Sequence, residues 1–587
     1  MDDLPKGGSF LFRQANPQDL YTPEDFTDEH KMIYRTTISF VNNEILPRMD
    51  ELESQKEGLN RELIGAAGEL GLLGADVPEE YGGTELDTIS STIIAECIGR
   101  GGSFCQTHGG QTCIGQLPIV FFGNREQKKK YLPGIVSGKK ISAYALTEPE
   151  AGSDAMSIRT KAVLSSDGKY YILNGSKQFI TNTGMADVFI VFAKIDGERF
   201  TAFIVERDSE GLSTGPEEKK MGIKGSSTRA LVFEDVKVPV ENLLYETGRG
   251  HIVAFNILNI GRYKLAANAV GMAKFALEQA ATYANNRKQF LVPIVNFGLI
   301  REKLAEMAIK IYVAESMVYR TGGLLEDMLS SLNIAGDDGG QLAASGIAEY
   351  AIECSMCKVF ATEALAYVVD EGVQIHGGYG YIAEYPIERL YRDARIYRIF
   401  EGTNEINRVM IPVTILRKAS KGELPLQEKI ERLQGEIAAG NVPARVDEAG
   451  LLQAAKDIFL LAMGTGLKKL GEGLQKNQEV LGRLADLAIQ VYAMESAWLR
   501  AQKALAGEGE DKASLKLKMA GAYINSTMGY LMLKAREVLV AVVGEGEVAG
   551  LLESLEKLCR FTPQNTLVMR EEIALAVSEA DGYPASL

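Results

Sequence analysis

Residues 374–408 read QIHGGYGYIAEYPIERLYRDARIYRIFEGTNEINR. On both sides of this stretch apolar residues recur every three or four positions, the spacing of amphipathic helices, and within it the spacing breaks. Glycine, threonine and asparagine take over there, residue types that bare backbone amides and suit a cradle for a flat ligand and its phosphates. The same types also close turns and cap helices. The stretch therefore gains meaning only beside two others, YALTEPEAGSD at 144–154 and QFITNTG at 178–184.

Outward from these segments the chain divides by period. Residues from about 24 to 139 carry helical spacing, as in NRELIGAAGELGLLGADVP, with punctuation at Pro133-Gly134. Between 140 and 245 come short β-branched and aromatic runs, ISAYAL, KYYILNG, DVFIVFAKI, RFTAFIVER and RALVFEDVKVP, separated by Gly, Asp and Ser. They predict a small antiparallel, barrel-like β domain. Helical spacing returns over 246–415 and, past a charged stretch at Lys418–Gln427, over 428–587. LAEMAIKIYVAESM (304–317) lies on LADLAIQVYAMESA (484–497) at a constant offset of 180, with seven of 14 positions identical. This predicts a second bundle that is a degenerate copy of the first. The copy has nothing like the glycine-containing segments between 374 and 405, so it reads as scaffold or interface.

A chain of 587 residues, 46% hydrophobic and 24% charged, is that of a globular protein with several cores. Its formal charge of -15, with no lysine or arginine block, argues against nucleic acid as a partner. The N-terminus MDDLPKGGSF has neither a signal core nor a transit-peptide character, and no run of about 18 uncharged apolar residues follows. A cytoplasmic or already processed protein is expected. Six cysteines in so long a chain fit a reducing compartment, and the lone CxxC of Cys354 and Cys357 reads as buried helical thiols. His30, His108, His251 and His376 lack HExxH-type spacing, and neither GxxxxGK[ST] nor a strand-borne GxGxxG occurs. Zinc hydrolysis, P-loop and Rossmann chemistry are disfavoured, and no metal site is expected.

TEPxAGSD together with the GGYGY…EYPIER…RDARIYRIFEGTNEI run resembles the acyl-CoA dehydrogenase family over about residues 30–415. The resemblance implies an α+β, mainly α fold: an N-terminal helical domain (24–139), a middle antiparallel β domain (140–245), a four-helix bundle (246–415) and an additional C-terminal helical domain (428–587). FAD would lie between the β domain and the bundle, across a dimer interface. Leu146, Thr147 and Ser153 would contact the flavin, Ser153 also the coenzyme A part. Phe179, Ile180 and Thr181 would flank the ring, with Phe179 standing where many members carry tryptophan and keeping an aromatic face. Arg287, Gln289 and Phe290 would reach the FAD pyrophosphate from the neighbouring subunit, arginine through its planar fork. Gln374, Gly377 and Gly378 would face the adenosine end, and Thr403, Asn404 and Glu405 would complete the flavin contacts.

Glu401 matches the family's base, which takes an α-proton from the acyl thioester as a β-hydride leaves for the flavin. With water excluded and an apolar chain beside it, its pKa is expected to rise, and its backbone N–H is expected to help stabilise the enolate oxygen. Some relatives carry the base immediately before the arginine that corresponds to Arg262; this chain has Gly261 there. Asn259 and Arg262 match contacts to the adenine and phosphate part of coenzyme A, and Phe400 and Gly402 are expected at the substrate. Gly110 stands where medium-chain relatives close the pocket floor with glutamate. The segment 106–115, QTHGGQTCIG, carries no acid, so a deeper apolar channel is expected.

The extra C-terminal bundle, with NGSKQFITN, TAFIVER, KMGIK and NFGLIREKLA, resembles the very-long-chain branch. The implied activity is FAD-dependent dehydrogenation of long-chain fatty acyl-CoA to trans-2-enoyl-CoA in fatty acid β-oxidation. A homodimer would perform it and pass electrons to an electron-transferring flavoprotein. LLQAAKDIFLLAMGTGLKKL (451–470) is amphipathic with lysines at one end; such a stripe is more often core, and peripheral membrane contact through it is the alternative. An acyl-CoA oxidase and a scaffold protein on the same fold are the rivals, and the presence of Glu401 and the flavin segments favours the dehydrogenase.

Overall fold

A computed structural model describes residues 4–332, 339–441 and 445–585. Helices α1 (Asp28–Phe40), α2 (Leu59–Glu69), α3 (Thr88–Gly99), α4 (Ser103–Gly109) and α5 (Arg125–Val136) form the N-terminal part. Three of them start on local caps: the side chains of Thr27, Asp87 and Asn124 accept from the backbone N–H of His30, Ser90 and Gln127. Past α4 the chain widens into a π-helical turn at Gly110–Gly115. Its buried Gln111 joins the helices to the sheet, accepting from Ser142 N at 2.7 Å and donating to Ile135 O and Lys140 O at 2.9 Å each.

Strands β1 (Ser142–Ala145), β2 (Lys161–Leu164), β3 (Tyr170–Thr181), β4 (Val188–Ile195), β5 (Arg199–Glu206), β6 (Leu212–Thr214), β7 (Thr228–Pro239) and β8 (Leu243–Leu244) form an eight-stranded sheet. The order is β6-β7-β3-β2-β4-β5-β8, with β1 also on β4. Most neighbours are antiparallel, but the all-antiparallel expectation is corrected at β4. β1 runs parallel to it from Ser142 opposite Val188 to Ala145 opposite Val191, and β2 runs parallel to it from Lys161 opposite Lys194. A two-residue period finds strands without fixing the direction of their partners. Because β1 and β2 lie end to end along β4, the loop 146–160 between them is pushed out of the sheet, and this loop carries the TEPEAGSD sequence.

Helices α6 (Gly250–Asn286), α7 (Gly298–Ser330), α8 (Ala351–His376), α9 (Pro386–Ala394) and α10 (Asn404–Ser420) follow. α6 is buried nearly all round, and its small residues let neighbours come close. A Cβ at Gly271 would lie 1.7 Å from Glu96 O of α3. Cys354 and Cys357 are buried on α8, as expected, and burial pushes the Cys357 thiol up to about 12.

The C-terminal part contains α11 (Glu448–Leu470), α12 (Gln478–Glu508), α13 (Glu510–Val542) and α14 (Thr566–Glu579). Contacts between α7 and α12 are reciprocal at the 180-residue offset seen in the sequence. Arg320 reaches Glu495 at 2.8 Å and Ser496 at 3.1 Å, and lies 4.5 Å over the Tyr492 ring. Arg500 reaches Glu315 at 2.6 Å and Ser316 at 3.4 Å, and lies 4.6 Å over the Tyr312 ring. Each glutamate also takes a lysine from its own bundle, Lys274 on Glu315 and Lys456 on Glu495.

The alternative of membrane contact through 451–470 is corrected. Leu451, Leu452, Ile458, Phe459, Leu460, Leu461 and Met463 are buried, and α11 packs on α12 and α13. The stripe is core, and Lys468 and Lys469 sit in its last turn, where cations complement the helix dipole. Among the described residues no helix is long and apolar enough to cross a membrane.

Candidate active site

Glu401 lies between a 3-10 turn at Arg395–Arg398 and α10. Its φ is 55° and that of Gly402 is 80°, two successive left-handed residues. For glutamate this conformation is costly and must be held by its surroundings. Arg262 Nε donates to Glu401 O at 3.2 Å, Lys358 Nζ to Gly402 O at 2.8 Å, and Asn407 Nδ2 to Gly402 O at 2.9 Å and Thr403 O at 3.0 Å. Thr403 then caps α10, accepting from Ile406 N at 3.2 Å.

The carboxyl group points at α6, where a Cβ on Gly261 would lie 2.6 Å from Glu401 Oε2. The absent side chain at 261 is thus the space the carboxylate uses. Oε2 is enclosed and has no hydrogen-bond partner, although the residue as a whole is half-buried. Burial pushes the carboxyl up to about 7 against the opposing charges of Arg262 and Lys358. Near it the Tyr144 hydroxyl is also enclosed without a partner, and burial followed by the Glu401 charge drives that phenol well up. A dry carboxylate with a free oxygen is ready to take a proton.

Gln178 N donates to Thr147 O at 2.9 Å, which brings Leu146 and Thr147 beside Phe179, Ile180 and Thr181. The β3–β7 register slips between Lys177 and Ile180. At this bulge Phe179 has φ 61° and stands 62% exposed while Ile180 is buried. Loop 146–160 is held by Glu148, which accepts from Arg159 N at 2.5 Å, Thr160 N at 3.0 Å and the buried Lys177 Nζ at 2.7 Å. Lys177 also donates to Leu146 O at 3.1 Å, and Ser153 lies exposed on the outer turn of the loop.

A second group sits elsewhere. Arg287, Gln289, Gly377 and Gly378 line a cavity of about 480 Å³ with Tyr283, His376 and Tyr379. A Cβ at Gly377 or Gly378 would meet nothing within 4 Å, and Gly377 has φ 60°, so bare backbone forms one wall. Arg287 is exposed, lies 5.4 Å over the Tyr379 ring and has no ion-pair partner among the described residues. These groups fit a nucleotide with its phosphates. Gln374 is exposed just before this wall, and Phe290 is 89% exposed on the hairpin that follows α6. From Arg262 to Arg287 is 25 residues of α6 and its cap, about 37 Å at the helical rise. A single chain therefore holds the two groups far apart.

Several of the expected contact residues have partners within the chain. Arg262 is buried with Asn259, which accepts from its Nη1 at 3.0 Å, and its Nε serves the Glu401 carbonyl. The arginine thereby braces the Glu401 turn. A Cβ at Gly110 would lie 2.8 Å from Asn182 Nδ2, so that position makes room for Asn182. Gly109, which motif matching passes over, faces open space. Asn404 turns into the interior, bonding Lys358, Thr362 and Glu363 of α8, and Glu405 is exposed. Phe400 packs edge-on to Tyr397 at 5.3 Å. Motif matching also passes over Tyr144, Asn182, the Lys177–Glu148 pair and Lys358; the one visible signal was a lysine inside the otherwise apolar CSMCKVFA of α8.

Comparison with known proteins gives a consistent result. Models of the acyl-CoA dehydrogenase N-terminal, middle and C-terminal domains match residues 27–139, 143–236 and 248–416, and a further acyl-CoA dehydrogenase C-terminal domain model matches 454–557. The chain is 51% identical over 586 residues to a probable acyl-CoA dehydrogenase of Bacillus subtilis, covering 99% of each. It is 40% identical over 470 residues to the mitochondrial very long-chain specific acyl-CoA dehydrogenase of Rattus norvegicus, covering 74% of this chain and 69% of that one. A crystal structure of an acyl-CoA dehydrogenase complexed with FAD from Bacillus anthracis is similar at TM-score 0.97 and 54% identity, over 99% of this chain and 100% of that one.

Proposed function

Since the chain belongs to the acyl-CoA dehydrogenase family of FAD-dependent oxidoreductases, we propose that it dehydrogenates long-chain fatty acyl-CoA to the trans-2-enoyl thioester with Glu401 as the base. The observation that carries this is the Glu401 carboxyl itself: enclosed, unpartnered at Oε2, raised to about 7 and aimed into the gap left by Gly261. FAD, when bound, supplies the acceptor for the β-hydride. Glu401 takes the α-proton onto its carboxylate, while Arg262, Lys358 and Asn407 keep its turn from moving. Leu146, Thr147, Phe179, Ile180 and Thr181 would hold the flavin end, with Ser153 and Thr403 at its margins, and Phe400 and Gly402 would border the thioester.

Long acyl chains are favoured by the absence of an acid from 106–115, the open space at Gly109 and the likeness to very long-chain specific enzymes. Arg287, Gln289 and the Gly377-Gly378 wall would serve the FAD of a second subunit, since α6 separates them from Glu401 by about 37 Å. A homodimer also accounts for the exposed Phe290, Leu291 and Tyr381. The work would belong to fatty acid β-oxidation, with an electron-transferring flavoprotein as acceptor. Anaerobic titration of the FAD-loaded protein with butyryl-, octanoyl-, palmitoyl- and stearoyl-CoA tests the reading. The two long thioesters should bleach the flavin at the lowest concentrations; preference for butyryl-CoA would refute the chain-length assignment.

A further inference from the structure

Lys358 is fully buried on α8, and among the described residues no carboxylate contacts it as an ion-pair partner. Buried ammonium groups are ordinarily paired, because an unpaired one is costly. Its hydrogen bonds go to Gly402 O at 2.8 Å and Asn404 Oδ1 at 2.7 Å, the residues on either side of Thr403. Asn404 is itself fixed, its Nδ2 donating to Thr362 Oγ1 and Glu363 Oε1 at 3.1 Å each, and Glu363 is paired with Arg408 at 2.7 Å. The charged groups facing Lys358 are Glu401 on the turn, Arg262 on α6, Glu363 on its own helix and Glu405 on α10. Glu401 acts on it most strongly of these.

Resting on the reading of Glu401 as the base, we propose that Lys358 is its positioning residue: bridging Gly402 O and Asn404 Oδ1, it locks the two left-handed residues of the turn, and its charge keeps the carboxylate available. Two features support this. The turn is strained at Glu401, whose φ is 55°, so an anchor from a rigid helix is required. Burial pushes Lys358 down to about 7 and Glu401 up to about 7, and each shift is opposed by the other's charge. Tyr144 and Cys113 also face Glu401, but neither brings a positive charge.

The test compares the native FAD-loaded protein with Lys358→Met and Lys358→Arg, following flavin reduction by palmitoyl-CoA over a range of pH. In Lys358→Met the maximal rate should fall about tenfold or more with KM little changed. Its rising limb should move up by about one pH unit, because a carboxylate that loses a nearby cation binds its proton more tightly. Lys358→Arg should keep the limb in its native place with a reduced rate. A Met variant that retains FAD, thermal stability, rate and limb would overturn the proposal. Should the Met variant fail to fold, the Arg variant decides, since a displaced limb there also overturns it. Absence of reduction in the native protein would instead overturn the reading of Glu401.

Discussion

Glu401 and Glu315 are carboxylates of the same helical bundle, and they behave in opposite ways. Glu315 on α7 is buried in direct contact with Lys274, with Arg500 at 2.6 Å and with the Tyr583 hydroxyl at 2.8 Å. Despite burial, those two cations hold its carboxyl below the ordinary range. Glu401 has two cations nearby as well, yet Arg262 and Lys358 point their donors at main-chain oxygens and asparagine side chains rather than at its carboxylate, and burial prevails. Direct contact with donors, more than depth or nearby charge, separates a structural carboxylate from a reactive one. Glu353 and Asp393 limit that rule. Each has an unpartnered buried oxygen and is raised to about 7, but each sits on a packed helix and accepts a main-chain N–H, from Gly8 and Ile223 respectively. What sets Glu401 apart is the strained turn beneath it and the empty place at Gly261.

The comparison can be broken from either side. Arg500→Met should lower stability by about 2–3 kcal/mol, since it takes one of two cations from each of Glu24 and Glu315, which keep Lys516 and Lys274 respectively. Calorimetry checks this, and an unchanged melting temperature would show that the charge array between the two bundles is not structural. Gly261→Ala puts a Cβ where Glu401 Oε2 lies. It should cost about 100-fold in flavin reduction through displacement of the base, with FAD content and melting temperature intact. Glu353→Gln probes the limiting case. The native carboxyl keeps its proton up to about 7, whereas the unfolded one loses it near 4.5. Its contribution to stability is therefore present below about pH 4.5 and lost as pH rises through about 7. The glutamine variant should be more stable than the native protein by on the order of 3 kcal/mol above about pH 8 and equal to it in acid.

Much of this was legible in the sequence where the signal is local. The helical, β and helical spacing was visible over 24–139, 140–245 and 246–415, and the 180-residue repeat was visible over 304–317 and 484–497, but the reciprocal Arg320 and Arg500 lie three residues beyond it and went unread. The parallel placement of β1 and β2 on β4 was hidden, because partner direction is set by chain segments far apart. The bulge at Phe179 was hidden for the same reason. The bond from Arg262 to the Glu401 carbonyl was hidden because the two residues lie 139 apart, and periodicity alone left the α11 stripe open between a protein interior and a membrane surface. Glu401 stood out through its motif, but the proximity of its carboxyl to Gly261 and the bond from Lys358 to Gly402 O exist only in the folded chain.

The most direct measurement is anaerobic flavin bleaching by palmitoyl-CoA in the native protein and in Glu401→Gln, each loaded with FAD and followed across pH. The native rate should climb as pH passes through about 7, where the carboxyl ionises. The variant should bind FAD and thioester yet bleach at least about 100-fold more slowly, with no such limb. A Glu401→Gln protein that bleaches at the native rate would contradict the account.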